Sequence, residues 1–323
     1  MAACRAGDVG AAAVGSGTRG PRPTTTMRLL APAKINLHLR VGRRRADGFH
    51  PLLTWMSSIA LFDQIDITPA EGPSRLTCDD PALPVDDKNL VCKAMVAVAR
   101  VAPPQRPVSI HLQKRIPMGA GLGGGSSDAA RTLLGLNAMW KLRQSVEDLA
   151  GLAARLGSDV PFFFYLPCAV CRGRGEVVQP AAPPRPRWAV VILPGFGVPT
   201  SPAYARFDEM GLGDDLPLAG DCPWTAWASL PASELMRLLA NDLEPAAFSL
   251  VPALGELWEA IQRNLARPVR MSGSGSSLFT LYDDADEAIT AASAIQGQLA
   301  VKAMSLGLAP PIRDELDAPR PKL

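Results

Sequence analysis

The stretch Pro117-Met-Gly-Ala-Gly-Leu-Gly-Gly-Gly-Ser-Ser-Asp128, the glycine-rich loop, holds five glycines in the seven positions from 119 to 125. Glycine has no side chain, so a ligand can approach this backbone closely. A strand-like run precedes the loop, and a helix-like run follows it from about Ser126 to Trp140. The first N–H groups and the positive dipole end of a helix bind anions. The stretch therefore predicts a polyphosphate site on a strand–loop–helix unit.

Two well-known phosphate-binding motifs fit this loop poorly. A Walker A loop needs Gly-Lys followed by Ser or Thr, and the loop contains no lysine. A formal dinucleotide-binding GxGxxG match exists at Gly119, Gly121 and Gly124. The acidic residues about 20 positions further on, Glu147 and Asp148, lie in a helical pattern rather than at a strand end. A dinucleotide oxidoreductase is disfavoured but stays an alternative, which a nicotinamide titration would distinguish.

The bulk composition narrows the classes of function. The chain has 323 residues, a net charge of +2 and 47% hydrophobic residues, which allows one large domain or two of medium size. Without a dense block of Lys and Arg, nothing predicts a nucleic-acid partner. No apolar stretch reaches the roughly 20 residues that span a bilayer. We therefore expect a cytoplasmic protein with neither a nucleic-acid nor a membrane partner.

Two short clusters have both a structural and a functional interpretation. Arg43-Arg44-Arg45 fits a solvated turn, or a contact with an anionic ligand. Cys168 and Cys171 form a C-x-x-C pair, but no second pair or nearby His completes a zinc site. Because aromatic and apolar residues precede the pair (Phe162–Leu166), we expect two buried thiols rather than a redox dithiol.

Strand-like and helix-like runs follow one another without repeats or strict βαβ order, which predicts an α+β fold. The pattern is β-like over residues 27–68, where residues 33–41 alternate as a half-buried strand does. Further strands are predicted at 108–114, 188–193 and 301–307, and helices at 90–101, 126–140, 145–156, 233–242, 252–265 and 284–299.

A Pro-rich turn indicates a domain boundary near residues 180–187. We expect a disordered extension over residues 1–26, an N-terminal nucleotide-binding lobe over 27–183, a C-terminal lobe over 184–311 and a tail over 312–323. The second lobe contains the Ser/Gly stretch Ser272-Gly-Ser-Gly-Ser-Ser277, the second loop, between two β-like runs. A triphosphate and a second substrate need backbone donors from more than one side, so this loop is a second candidate ligand contact.

Five blocks of the chain resemble the galactokinase–homoserine kinase–mevalonate kinase–phosphomevalonate kinase (GHMP) superfamily. They are Ala31-Pro-Ala-Lys-Ile-Asn36, Arg45-Ala-Asp-Gly-Phe-His50, the glycine-rich loop, Gly157-Ser-Asp-Val-Pro161 and the second loop. The similarity extends from about residue 27 to residue 308. The Asp-Gly-Phe-His segment is most similar to members that act on a cytidylyl substrate.

The resemblance implies a two-lobed kinase fold with the active cleft between the lobes. The N-terminal lobe would be like ribosomal protein S5 domain 2, with a left-handed βαβ unit, and the C-terminal lobe would be ferredoxin-like. ATP and Mg²⁺ are implied as co-substrates. The implied acceptor is the 2-hydroxyl of a methylerythritol unit linked to cytidine diphosphate, in the non-mevalonate isoprenoid pathway. The sequence leaves open the magnesium ligands and whether the protein is a monomer or a homodimer.

The resemblance also implies roles for individual residues. Asp159 matches the proposed general base, and Lys34 matches the lysine that keeps this base ionised. ATP binding is expected from Asn89 and from the loop residues Pro117, Met118, Gly119, Ala120, Gly121, Leu122, Gly123, Gly124, Gly125, Ser126 and Ser127. Substrate binding is expected from Asn36, Phe49, His50, Thr200, Ser272 and Gly273. Phe49 and His50 are expected to bracket the cytosine ring.

Other interpretations of these residues stay open. An Asp before Val-Pro is usually a turn or cap residue, and Lys34 could protect the edge of a sheet. The chain could be a GHMP kinase for homoserine or mevalonate, or a non-catalytic nucleotide sensor, although decayed kinases generally lose such a Lys and Asp. The segment Cys171-Arg-Gly-Arg-Gly-Glu176 has the expected glycines, but the sequence assigns no role to Arg172 and Arg174.

Overall fold

The computed structural model describes residues 26–101, 105–214 and 222–316 of the chain. The predicted extension over residues 1–26 lies outside the described residues except for its last residue, and residues 317–323 of the predicted tail lie outside them as well. The described residues form two sheets with helices packed on them. This arrangement confirms the predicted α+β class.

A long antiparallel hairpin forms the centre of the N-terminal lobe. Strand β1 (Met27–Val41) pairs with β2 (Leu52–Pro69) along nearly its whole length. The other edge of β2 pairs with two strands, one at each end of β2. The remaining strands of this sheet are β3 (Arg75–Cys78), β4 (Val108–Gln113), β5 (Cys168–Gly173) and β6 (Val177–Pro180).

Helices complete this lobe and position the glycine-rich loop. Helix α1 (Leu90–Val101) connects β3 to β4, and because these strands are parallel the three elements form a βαβ unit. Helix α2 (Gly124–Met139) continues directly from the loop and packs on β1. Helix α3 (Val146–Ala153) and a short 3₁₀ helix (Pro161–Phe164) follow. The predicted strand–loop–helix unit is therefore present.

Strand β1 is buried on both faces, so the expectation of a half-buried strand is wrong. Ile35 and Leu37 pack into a hydrophobic core that residues of both lobes share. Lys34, Asn36 and His38, which period-two alternation assigns to solvent, are also buried. These polar side chains are buried by tertiary packing, because the glycine-rich loop and the second loop cover this face of β1.

The C-terminal lobe is an antiparallel sheet in the order β10-β7-β9-β8 with helices around it. Its strands are β7 (Trp188–Leu193), β8 (Arg270–Met271), β9 (Leu278–Tyr282) and β10 (Lys302–Gly307). Its helices are α4 (Thr200–Glu209), α5 (Trp224–Ala228), α6 (Ala232–Leu238), α7 (Glu244–Leu250), α8 (Pro252–Leu265) and α9 (Ala285–Leu299). The patterns at 252–265 and 284–299 predicted α8 and α9 well, whereas α4, α5 and α7 were not predicted.

The end of the described chain returns to the N-terminal lobe. The N–H of Ala309 donates to the carbonyl oxygen of Ser58 at 2.8 Å. Asp314 forms a buried ion pair with Arg131 of α2 and accepts the N–H of Leu30 at 3.0 Å. The first residues of the predicted tail are therefore packed against the sheet, and the predicted lobe boundary falls between β6 and β7.

Cys168 and Cys171 are buried free thiols, as expected from their apolar neighbours. The indole N–H of Trp55 donates to the Cys168 sulfur at 3.0 Å. Burial raises the pKa of Cys168 to about 12, which makes this thiol a poor nucleophile. No helix among the described residues is long and apolar enough to cross a membrane.

Candidate active site

Lys34 and Asp159 form an ion pair in the wall of a cleft of about 570 Å³. The Lys34 ammonium lies 3.1 Å from a carboxylate oxygen of Asp159. It also donates to Oδ1 of Asn36 at 2.5 Å. The Lys34 side chain is 3% exposed, and a buried ammonium needs such partners to stay charged. The Asp159 side chain is 35% exposed, so its carboxylate is accessible from the cleft.

A tight segment between α3 and the 3₁₀ helix holds Asp159 in place. The N–H of Val160 donates to the carbonyl oxygen of Gly157 at 3.2 Å, which closes a turn around Asp159. Pro161 begins the 3₁₀ helix, and the following side chains Phe162 and Phe163 are buried in the core of the lobe. Buried neighbours thus fix the backbone while the carboxylate points away from the core.

The glycine-rich loop has a backbone that only glycine adopts readily. Gly119, Gly121 and Gly123 have φ angles of 65°, 76° and 69°, in the left-handed region. The N–H of Lys34 donates to the carbonyl oxygen of Leu122 at 2.9 Å, which fixes the loop to β1. Helix α2 begins right after Gly123, so its first N–H groups, which have no partner within the helix, lie next to the loop.

A second cavity of about 350 Å³ is lined by residues 116–126 of the loop region and by the start of α1. We call it the nucleotide cavity after the ligand predicted for this loop. Asn89, for which the resemblance implies ATP binding, lines this cavity. Its side-chain amide is engaged in the fold, however. It donates to the carbonyl oxygen of Pro84 at 2.7 Å and accepts the N–H of Val91 at 2.9 Å. Asn89 therefore shapes the cavity by capping α1.

A buried charged cluster that was not predicted from the sequence supports the start of the loop. Lys114 forms ion pairs with Asp63 and with Asp128, the latter at 2.7 Å. Asp63 also accepts the N–H groups of Arg115 at 2.5 Å and Ile116 at 2.9 Å. Burial raises the pKa of Asp128 to about 7, although the charge of Lys114 acts in the opposite direction. The cluster fixes the backbone immediately before Pro117.

The two cavities meet at the glycine-rich loop. Gly121, Gly123 and Ser126 line both the nucleotide cavity and the cleft. A polyphosphate chain held by the loop would therefore extend toward Lys34 and Asp159. A phosphoryl donor bound to the loop would therefore lie next to a candidate base.

The second loop closes on the glycine-rich loop from the C-terminal lobe. The Ser272 hydroxyl accepts the N–H of Asn36 and donates to the carbonyl oxygen of Gly121, both at 3.1 Å. The Thr200 hydroxyl lies 2.9 Å from that of Ser274, which links α4 to the same loop. Ser272 thus joins the lobes rather than lining the cleft, whereas Gly273 and Thr200 line it.

Aromatic side chains line a part of the cleft, the aromatic end, that does not belong to the nucleotide cavity. The His50 ring packs against Tyr204, with ring centroids 5.1 Å apart, and its Nδ1 lies 2.9 Å from the carbonyl oxygen of Gly42. Its Nε2 lies 3.4 Å from Asp208. Phe49 is 48% exposed, and the guanidinium of Arg174 covers one face of its ring, which leaves the other face for a ligand. Tyr204 also lines the cleft, so its ring is a further candidate contact for a flat base.

The structure places most of the predicted site residues around these two cavities. Those that line the cleft or the nucleotide cavity are Lys34, Asn36, Phe49, His50, Asn89, Asp159, Thr200, Gly273 and residues 117–126. Ser127 and Ser272 lie behind the lining and are fully buried. Tyr204 and Asp208, on the unpredicted helix α4, were not among the predicted site residues, and the cleft position of Arg174 was not predicted either. The sequence feature that could have indicated Tyr204 is an aromatic residue at a spacing typical of a helix.

Comparisons with known proteins agree with this geometry. Residues 89–166 match the family described as GHMP kinases N terminal domain, and residues 229–301 match GHMP kinases C terminal. A crystal structure of homoserine kinase from Cytophaga hutchinsonii superimposes with a TM-score of 0.67 at 20% identity, over 92% of this chain and 98% of that one. The fold and the site therefore define a small-molecule kinase of the GHMP class.

Closer relatives narrow the class. The 4-diphosphocytidyl-2-C-methyl-D-erythritol kinase of Synechococcus sp. (strain CC9605) is 40% identical over 296 residues, 86% of this chain and 93% of the relative. That of Syntrophotalea carbinolica is 37% identical over 86% of this chain and 97% of the relative. A crystal structure of 4-(cytidine 5'-diphospho)-2C-methyl-D-erythritol kinase has a TM-score of 0.71 at 39% identity, over 88% of this chain and all of that one. This chain belongs to the 4-diphosphocytidyl-2-C-methyl-D-erythritol kinase family. It is thus an ATP-dependent kinase, not the dinucleotide oxidoreductase that a formal GxGxxG match allowed.

Proposed function

We propose that this chain transfers the γ-phosphoryl group of ATP to the 2-hydroxyl of 4-diphosphocytidyl-2-C-methyl-D-erythritol, a step of non-mevalonate isoprenoid synthesis. The observation that carries the chemistry is the Lys34–Asp159 ion pair at the point where the nucleotide cavity opens into the cleft. The names of the relatives supply the acceptor.

Asp159 serves as the general base in this proposal. Its accessible carboxylate accepts the hydroxyl proton as the oxygen attacks the γ-phosphorus, and the bond from that phosphorus to the β-phosphate oxygen breaks to release ADP. Lys34, 3.1 Å from Asp159, orients the carboxylate and stabilises negative charge on the attacking oxygen. A positioned base contributes about 10²- to 10⁴-fold to the rate.

The glycine-rich loop holds the donor. Phosphoryl transfer depends mainly on positioning and on charge stabilisation, because the protein has little covalent chemistry to do. Backbone N–H groups of the loop and of the first turn of α2 bind the phosphate oxygens, and the helix dipole adds positive potential. The fixed loop backbone, tied to β1 through Lys34 and to the second loop through Ser272, supplies this positioning.

The residues around the loop fit a magnesium ion bound to the nucleotide. Mg²⁺ prefers oxygen ligands and usually combines one or two protein oxygens with substrate phosphates. The hydroxyl-bearing Ser126 belongs to the cleft lining beside the loop and would hold it. Bound there, the ion would neutralise charge on the phosphates. No group of three or more His, Cys, Asp and Glu side chains among the described residues is arranged to bind a metal by itself.

The proposal is tested by offering the protein three alcohols in parallel with ATP and magnesium. We expect ADP release with 4-diphosphocytidyl-2-C-methyl-D-erythritol, and little or none with mevalonate or homoserine, because Phe49 and Tyr204 offer ring faces to a base. Product analysis by mass spectrometry checks that one phosphate has been added. Turnover with another alcohol would keep the kinase but contradict the acceptor, and no turnover with any of them would favour the sensor alternative.

A further inference from the structure

Arg174 is the basic residue of the cleft for which neither the sequence nor the proposed mechanism has a role. It lies at the turn between β5 and β6, and its guanidinium carbon lies 4.6 Å from the centroid of the Phe49 ring. Its backbone N–H donates to the Glu176 carboxylate at 2.5 Å, and its Nε lies 3.9 Å from the other oxygen of that carboxylate. The turn and the ring together hold the guanidinium over the cleft.

The turn that carries Arg174 packs against the segment that carries Asp159. Gly175, the next residue, packs against Ser158, where an added Cβ would lie 3.2 Å from the Ser158 carbonyl oxygen. Ser158 directly precedes Asp159. Arg174 therefore lies between Phe49, at the aromatic end, and the segment that carries the candidate base.

The proposed acceptor carries negative charge between its cytidine and its methylerythritol unit. A diphosphate joins the cytidine to the methylerythritol, so with the base at the aromatic end and the hydroxyl at Asp159 the diphosphate must pass between them. Three residues of the described cleft lining carry a fixed positive charge, Lys34, Arg44 and Arg174. Lys34 is engaged by Asp159 and Asn36. Arg44 donates to the carbonyl oxygen of Gly48 and lies 3.8 Å from Asp208. Among the described residues, the guanidinium of Arg174 has only the 3.9 Å contact with Glu176 and the contact with the Phe49 ring.

We propose that Arg174 binds the diphosphate of the acceptor and so helps the cleft to select a nucleoside-diphosphate-linked alcohol. This inference rests on the proposed acceptor and adds to it the group that recognises the charged linker. A guanidinium matches phosphate oxygens with two parallel N–H groups, which an ammonium cannot reproduce. The aromatic face of Phe49 would position it for this contact.

The test compares cytidine diphosphate (CDP) with cytidine as ligands, by calorimetric titration of the wild type and of Arg174→Gln. We expect the substitution to raise the Kd for CDP about 10- to 100-fold, the range for a charge-assisted hydrogen bond. The Kd for cytidine should change little, because the base contacts remain. The KM for the acceptor should rise while the KM for ATP stays the same, and Arg174→Lys should lie between the wild type and the glutamine variant.

Arg172→Gln is the matched control, since Arg172 lies on the same hairpin and donates to Gln179 across the strands at 2.9 Å. It should bind CDP like the wild type. Equal CDP affinity in the wild type and in Arg174→Gln would overturn the inference and leave the proposed acceptor standing. A rise in the KM for ATP alone would also overturn it. A wild type that binds neither CDP nor cytidine would contradict the acceptor itself, and the inference with it.

Discussion

The proposed chemistry depends on the contact between Lys34 and Asp159 in the wall of the cleft. A lysine buried in an apolar strand needs a partner, and the Asp159 carboxylate lies 3.1 Å from its ammonium. Asn36 adds a hydrogen bond that restricts the ammonium further. The roles of the pair in catalysis stay a proposal, but their contact gives the proposal its geometry.

The contribution of the Tyr204 ring to acceptor binding can be tested by a single substitution. If its ring stacks on the cytosine, Tyr204→Ala should raise the KM for the acceptor about 10- to 100-fold, because stacking of a base on an aromatic ring contributes about 1–3 kcal/mol. Steady-state kinetics with ATP saturating measure this effect. The KM for ATP should not change.

Tyr204→Phe is the control for this substitution, since it keeps the ring against His50 and removes only the hydroxyl. It should have nearly the wild-type KM for the acceptor. An unchanged KM in Tyr204→Ala, with a melting temperature near that of the wild type, would show that the base does not stack on Tyr204.

The glycine-rich loop and the second loop constrain each other at the scale of elements. Gly121 has a left-handed backbone, and an added Cβ would overlap the carbonyl oxygen of Ser272. Gly121→Ala should therefore lower the free energy of unfolding by more than the roughly 1–2 kcal/mol that the left-handed backbone alone costs. Urea unfolding measures the difference, and the KM for ATP should rise as the loop shifts.

Gly125→Ala provides the comparison, because Gly125 lies in the first turn of α2 and an added Cβ would be 3.9 Å from Leu90. Helix propensity predicts no loss of stability, or a gain of up to about 1 kcal/mol. If Gly121→Ala were as stable as Gly125→Ala, the two loops would not be in the close contact described above.

The elements differ in how far the sequence could predict them. The strand–loop–helix unit around residue 117 was predictable because glycine content and periodicity both mark it. Helix α4 was not predictable, because Pro199 and Pro202 suggest a turn. Proline is nevertheless well tolerated in the first turn of a helix. The full burial of β1 was also missed, because the loops that cover it come from distant parts of the chain.

At the scale of the whole molecule, the site exists only where the two lobes meet. The sequence could predict its N-terminal half, since Lys34, Asp159 and the loop lie in recognisable motifs. Tyr204 and Arg174 reach the cleft through the packing of α4 and of the β5–β6 hairpin, which local patterns do not encode. A core shared by both sheets and the Ser272 bridge hold this arrangement together.

The most direct measurement of the central claim is the kcat of Asp159→Asn with ATP and 4-diphosphocytidyl-2-C-methyl-D-erythritol, together with the Kd values for ATP and CDP. The variant keeps the shape of the side chain but cannot accept a proton. We predict a fall in kcat of about 10²- to 10⁴-fold with little change in either Kd. A variant with the kcat of the wild type would contradict the assignment of Asp159 as the base.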